Sequence, residues 1–168
     1  MRAASVSLGL ILALVRPAFA DDKDKLLGTR KIVSAVVEDV QTKEQKPLYG
    51  EHPMGYLILL PIGRMMSLLI SEGRKAPQTD EERSAAYRSM VAYTGRYNVE
   101  GNKWTTKPDV AWNEGWMMDQ VRYFKLDGDR LVVETAPAMN PNLGKVVRVT
   151  LTWQKEQYLI RAHRTGSK

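Results

Sequence analysis

The sequence predicts an all-β protein: an eight-stranded antiparallel up-and-down barrel with one helix packed over an end, preceded by a signal peptide. Two hairpins carry that prediction. The runs 97–104 and 124–133 alternate with period two and are interrupted by Gly101-Asn102 and by Asp127-Gly128-Asp129, so each reads as two antiparallel strands of one sheet. Similar punctuation recurs from about residue 27 to residue 155, which describes a sheet closed on itself. Its inside face must be filled by side chains or by a ligand.

The first twenty residues have a basic start at Arg2, an apolar run from Val6 to Val15, and Ala18-Phe19-Ala20 before Asp21-Asp22. This is the layout of a secretory signal cut after Ala20, and the run is too short to span a bilayer. An N-terminal anchor that is never cut is the alternative. The reading places the mature protein in the periplasm or outside the cell as one domain, residues 21–168, with a basic tail over 156–168. No later stretch has the length of apolar sequence a membrane helix needs; the longest, Tyr56 to Ile70, is broken by Pro61, Gly63 and Arg64.

Composition excludes several classes. Cysteine is absent, so stability comes without disulfides or thiolate metal sites. With only His52 and His163, no metal site is expected, and no cofactor either. Losing Arg2 and Arg16 with the leader takes the formal charge from +6 to +4. That excess is mild, and Arg161, His163, Arg164 and Lys168 in the tail read as a solvated terminus rather than a nucleic-acid or lipid contact.

In chain order, the expected strands are Thr29–Val40, Gly55–Leu60, Met65–Ser71, Thr94–Glu100, Lys103–Val110, Gln120–Leu126, Arg130–Thr135 and Val146–Lys155. Thr42–Pro47 reads as a polar loop, Pro61–Arg64 as a hairpin loop, and Pro137–Gly144 as a loop rich in Pro and Asn. Thr79-Asp80-Glu81-Glu82 is a capping box followed by good helix formers through Ala92, with Ala86, Met90 and Tyr93 at helical spacing and Tyr87 beside them.

Several blocks, in order, resemble the bacterial and fungal lipocalin-like domain family: Leu27-Gly28-Thr29, Tyr49-Gly50-Glu51-His52-Pro53-Met54-Gly55-Tyr56-Leu57, Gly63-Arg64-Met65, Tyr93-Thr94-Gly95-Arg96-Tyr97, Asp119-Gln120-Val121-Arg122-Tyr123, Leu126-Asp127-Gly128-Asp129 and Leu151-Thr152-Trp153. The resemblance implies a small barrel with a central cavity, and no settled activity. Two departures matter. Where the family usually reads Gly-Thr-Trp, this chain has Gly28-Thr29-Arg30, so the aromatic plug of the barrel floor is missing or supplied by another residue. Many members carry a histidine near the position of Thr106, and a general base there is unavailable here.

Strand parity selects the inward side chains. Closing the second hairpin at Gly128 puts Arg122, Phe124, Leu126, Leu131 and Val133 on one face. The first hairpin puts Tyr97, Val99, Trp104 and Thr106 together, and the last strand Val147, Val149, Leu151 and Trp153. Early in the chain both faces are apolar, and Tyr56 and Ile58 are assigned inside. An inward arginine needs compensation, either a ligand's anionic head group or an internal partner such as Glu51 or Asp119, or else water at the rim. His52 reads as a solvated loop residue. The cluster Trp112, Trp116, Met117 and Met118 lines a portal or closes a barrel end.

The leading function is binding of a small hydrophobic molecule, with or without an anionic head group, in a central cavity lined by Arg122, Tyr97, Trp104, Thr106, Phe124, Leu131 and Tyr56. Two alternatives stay open. One is an isomerase or cyclase acting on such a molecule in the same cavity, with Tyr97, His52 or Glu51 as acid or base. The other is a packed barrel acting as an interaction module. No nucleic-acid partner is expected, and the sequence leaves the oligomeric state undetermined.

Overall fold

A computed structural model describes residues 24–140 and 144–157. The signal peptide expected over residues 1–20, and Arg161, His163, Arg164 and Lys168 of the tail, lie outside the described residues.

The chain forms β1 (Gly28–Asp39), β2 (Gln45–Pro47), β3 (Met54–Leu60), β4 (Arg64–Ile70), helix α1 (Asp80–Arg88), β5 (Met90–Glu100), β6 (Lys103–Ala111), a 3-10 turn (Glu114–Trp116), β7 (Gln120–Asp127), β8 (Arg130–Thr135), β9 (Ala138–Asn140) and β10 (Lys145–Lys155). Eight of these strands run β1-β3-β4-β5-β6-β7-β8-β10 as an antiparallel meander, and β10 pairs back onto β1 from Arg30↔Lys155 to Asp39↔Val147. The sheet is thus closed, and closure removes the free edges an open sheet would expose. The eight expected strands are the eight barrel strands.

Two loops hold short extra strands. β2 lies within the expected loop 42–47 and pairs with Val36–Glu38, beyond the stretch of β1 that pairs with β3. β9 lies within the expected loop 137–144 and pairs with Lys145–Val147. Both are three residues long and largely exposed, so hydropathy alternation is too short to reveal them.

The hairpin turns are as read. Glu100 faces Lys103 across Gly101-Asn102, and Asp127 faces Arg130 across Gly128-Asp129. Gly101 and Gly128 take φ of 59° and 56°, a left-handed conformation that costs glycine little.

The capping box of α1 is present. Glu82 N donates to Thr79 Oγ1 at 3.2 Å, and Thr79 N donates back to Glu82 Oε2 at 3.3 Å. The helix ends at Arg88 instead of reaching Ala92, because the chain from Met90 onward is taken into the ladder with β4, where Ile70 pairs with Met90 and Ser67 with Tyr93. Met90 and Tyr93 therefore belong to a strand and not to a helix face. Local helix preference is a few tenths of a kcal/mol per residue, which a full ladder of backbone bonds overrides. No residue of α1 is buried; it is held by polar contacts, Tyr87 Oη donating to Trp112 O at 3.0 Å and Arg74 Nη1 to Ala86 O at 2.8 Å.

The core is the barrel lumen: Ile32, Ala35, Leu57, Leu59, Met65, Leu69, Val91, Tyr97, Trp104, Phe124, Leu131, Val133 and Trp153, capped by Leu26. At Gly95 an added Cβ would run into the Lys107 carbonyl oxygen and lie 2.7 Å from Pro108 Cα, because β5 and β6 cross there at a bulge with Asp109 as the extra residue. Gly95→Ala is expected to destabilise the fold by about 2–3 kcal/mol, read as a lower urea midpoint at unchanged slope.

At the far end of β1, Asp39 Oδ2 meets Lys145 Nζ at 2.9 Å, and Asp39 Oδ1 accepts Gln41 N and Thr42 N at 2.9 and 3.1 Å. The Lys145 ammonium, then the backbone N–H groups, hold the Asp39 carboxyl at about 2, below its ordinary 3.8. A carboxyl whose folded value is depressed stabilises the fold above its unfolded value and loses that effect as pH falls through the folded one. The β1–β10 tie is therefore complete above about pH 4 and lost toward pH 2, and an NMR titration of the Asp39 carboxyl with a midpoint near 2 is the expected result.

Candidate ligand site

The lumen-facing wall of β5, β6, β7 and β8 brings most of the expected site residues together. Trp104 pairs with Val99 on one side and Arg122 on the other, and Arg122 pairs in turn with Thr135. Directly paired residues share a face, so the buried Trp104 places the Arg122 side chain on the inner wall. Tyr97, Trp104, Thr106, Phe124 and Leu131 are all buried on that wall. The Tyr97 and Trp104 rings lie 6.0 Å apart at 60°, and Trp104 Nε1 donates to Thr106 Oγ1 at 2.8 Å. Tyr97 Oη donates to Leu60 O at 3.1 Å, and burial raises its pKa. This level of the barrel is packed.

Tyr56 does not belong to the site. It is 41% exposed on the outer face, whereas Leu57 and Leu59 are buried. Parity on β3 is decided by β1, where Arg30 pairs with Leu57 and Lys31 with Tyr56. With Arg30 and Ile32 inside, Leu57 must follow them and Tyr56 must face out. Ile58 shares the outer parity of Tyr56 and is only half-buried, so the assignment of both residues to the interior is corrected.

Arg122 is partly buried and has neutral partners. Its Nη1 donates to Val121 O and its Nη2 to Gln120 Oε1, each at 2.8 Å. Among the described residues no carboxylate lies within ion-pair distance of it. Glu51 and Asp119, the internal partners weighed from sequence, are both exposed. Burial lowers the Arg122 pKa, with Tyr93 opposing. Burial also raises the Tyr93 hydroxyl above its ordinary 10, so at neutral pH that hydroxyl is uncharged and supplies no counter-charge.

Gln120 links this guanidinium to the loop above it. While its Oε1 accepts from Arg122, its Nε2 donates to Met118 O at 3.0 Å and to Trp116 O at 3.4 Å. Trp116 lies 5.2 Å from Trp112 and 5.6 Å from Tyr93, centroid to centroid, and both tryptophans pack on the core. The pair forms an aromatic layer over the Arg122 end of the barrel, with Met117 and Met118 exposed beside it. Gln120 and Tyr93 were missed in the sequence. Gln120 shares the parity of Arg122 and Phe124 and was legible by that rule, whereas Tyr93 was hidden by the overlong helix.

A second inward arginine closes the opposite end. Arg30 has 0% exposure, its Nη1 donating to Asp129 O and its Nη2 to Lys25 O, each at 2.7 Å. It ties β1 to the β7–β8 turn and to the segment at residues 24–26. Desolvation lowers its pKa, partly offset by the Asp129 charge. Trp153, 1% exposed and paired with Ile32, supplies the large buried aromatic one step along the same inner wall. Arg30 Nε and Trp153 Nε1 have no hydrogen-bond partner among the described residues.

The acid–base candidates are not brought into one constellation. Tyr97 is on the inner wall, while Glu51 and His52 are exposed on the loop before β3, with His52 N donating to Glu72 Oε2 at 3.0 Å. No cluster of three or more His, Asp or Glu side chains that would hold a metal occurs among the described residues. No helix among them is long and apolar enough to cross a membrane.

The model of the lipocalin-like domain matches residues 27–156, from the start of β1 to the end of β10. The chain belongs to the lipocalin-like domain family. Arg30 follows Gly28-Thr29 on its first strand, and Trp153 on β10 is a buried aromatic at that end. A lipocalin-like barrel suggests small-molecule binding as the general role, and a fold by itself fixes no chemistry. No curated protein matches the chain.

Proposed function

We propose that this lipocalin-like protein is an exported carrier of a small hydrophobic anion, held at the Arg122 end of the barrel. The observation that carries the reading is a guanidinium turned inward on the Trp104–Arg122–Thr135 row, partly desolvated and met by neutral oxygens. Two neutral acceptors do not balance a desolvated charge, and a ligand carboxylate would supply a bidentate, charge-assisted pair. Arg122 is half-buried and not sealed like Arg30. Tyr97, Trp104, Phe124 and Leu131 form the packed apolar layer next to Arg122, which a ligand tail would have to part, and Thr106 fixes the Trp104 indole instead of meeting the ligand.

The test is native mass spectrometry of the protein recovered from its own compartment, together with titration of a fluorescent fatty-acid analogue. A co-purifying organic acid, and saturable probe binding that free fatty acid displaces, are expected. Protein that carries no organic molecule and does not bind the probe ends the proposal.

A further inference from the structure

The buried polar side chains among the described residues are Arg30, Ser67, Thr106 and Gln120, and three of them are engaged. Arg30 donates to two carbonyls, Thr106 Oγ1 accepts the Trp104 indole, and Gln120 is bonded at both ends of its amide. Ser67, 6% exposed, has no hydrogen bond to its hydroxyl among the described residues. Tyr93 is in the same condition: its ring packs on Trp116, and its hydroxyl has no described partner. The two residues are directly paired across β4 and β5, and Ser67 pairs in turn with the buried Leu57, so both turn into the lumen. The sealed side-chain atoms that lack a hydrogen-bond partner are Arg30 Nε, Glu38 Oε1 and Trp153 Nε1. Neither hydroxyl is among them, so each borders open space rather than packed atoms.

Arg122 reaches the same end of the lumen. Its Nη2 donates to Gln120 Oε1, Gln120 Nε2 donates to Trp116 O, and the Trp116 ring lies 5.6 Å from that of Tyr93. The Arg122 charge acts on the Tyr93 hydroxyl, and burial keeps that hydroxyl protonated at neutral pH. We infer that Ser67 and Tyr93 complete the head-group site begun by Arg122, and that the group it takes is a carboxylate, an inference that rests on the carrier reading. The hydroxyls come from β4 and β5 and the cation from β7, so a head group is gripped from two sides. The donor set makes the choice of group. A guanidinium offers one positive charge and a planar fork that matches two coplanar oxygens, and a neutral serine and a neutral tyrosine add O–H donors without adding charge. A carboxylate balances that charge and accepts from all three. An alkyl phosphate, about −1.5 to −2 at neutral pH, brings more negative charge than one arginine offsets. An alcohol leaves the cation unpaired.

Competition against a fluorescent fatty-acid analogue bound to the full chain tests the inference, with dodecanoate, dodecanol and dodecyl phosphate as competitors. The wild-type protein is expected to prefer dodecanoate to either of the others by about tenfold or more. Tyr93→Phe and Ser67→Ala each weaken dodecanoate by about fivefold to tenfold and dodecanol by less than about twofold. Melting of the ligand-free protein is unchanged in both variants, because neither hydroxyl has a described partner to lose. Tyr123→Phe, exposed on the outer face of β7, changes nothing. Equal competition by the three amphiphiles, or a preference for dodecyl phosphate, overturns the inference. So does a loss that falls equally on dodecanoate and dodecanol, the mark of a merely structural role. Variants that keep wild-type affinity for dodecanoate while Arg122→Met loses it remove the two hydroxyls from the site and leave the carrier reading standing, whereas a wild-type protein that never binds the analogue ends both.

Discussion

Arg122→Met weakens binding of a fatty-acid-like anion at least tenfold, about 1.4 kcal/mol, and leaves the barrel as stable as before or more so. The two halves of this expectation have one cause. In the free protein the guanidinium is desolvated and paired with Val121 O and Gln120 Oε1, with no carboxylate among its described partners. Exchanging it for an apolar side chain of similar length removes a charge burial that nothing offsets, at the cost of two donors to neutral acceptors. With ligand bound, the same exchange deletes the charge-assisted pair. Probe titration and thermal melting of both proteins check it. A variant that binds as tightly as wild type but melts earlier assigns Arg122 to structure and sinks the carrier reading. Gln120→Leu offers a finer check: it leaves Arg122 in place, removes one neutral acceptor, and is expected to perturb binding less than the arginine change does.

Trp153→Ala costs about 4 kcal/mol of stability. The indole is almost wholly buried on β10, opposite Ile32 and in the diagonal position to Arg30. Both large fillers of this end are therefore on the strand pair that closes the sheet. Truncation opens a cavity that backbone fixed in two ladders cannot collapse to fill. Trp153→Phe keeps much of the volume and deletes an N–H that has no described partner, so its cost should be far smaller, on the order of 1 kcal/mol. Urea unfolding of the two variants distinguishes them: equal losses would mean that the indole nitrogen, and not the volume, matters here.

Strand order and the inward faces of β6, β7, β8 and β10 were legible because these strands alternate cleanly. In β7, Phe124 is buried and Tyr123 and Lys125 are exposed, as hydropathy alone requires. β3 was not legible, since Tyr56, Leu57, Ile58, Leu59 and Leu60 offer two apolar faces, and the choice is made by neighbours on β1. The buried Arg30 was obscured by residue type, since Arg30-Lys31 reads as solvent-facing until Ile32 sets the parity. The end of α1 was invisible for a related reason: Met90, Val91 and Ala92 are acceptable in a helix, and only the waiting edge of β4 draws them into a strand. Of the site, the guanidinium and its aromatic wall were readable from parity. Its coupling through Gln120 to the tryptophan layer depends on side-chain hydrogen bonds, which no periodicity encodes.

The seam between β1 and β10 also dictates an order of events during folding. Every other junction in the barrel joins strands that are near neighbours along the chain and can zip as they meet, but Arg30 waits for Lys155. Until the last strand arrives, the molecule is a meander with two raw edges, the stage at which strands of different molecules are most apt to join. A chain emerging N-terminus first cannot complete its cylinder before β10 is free.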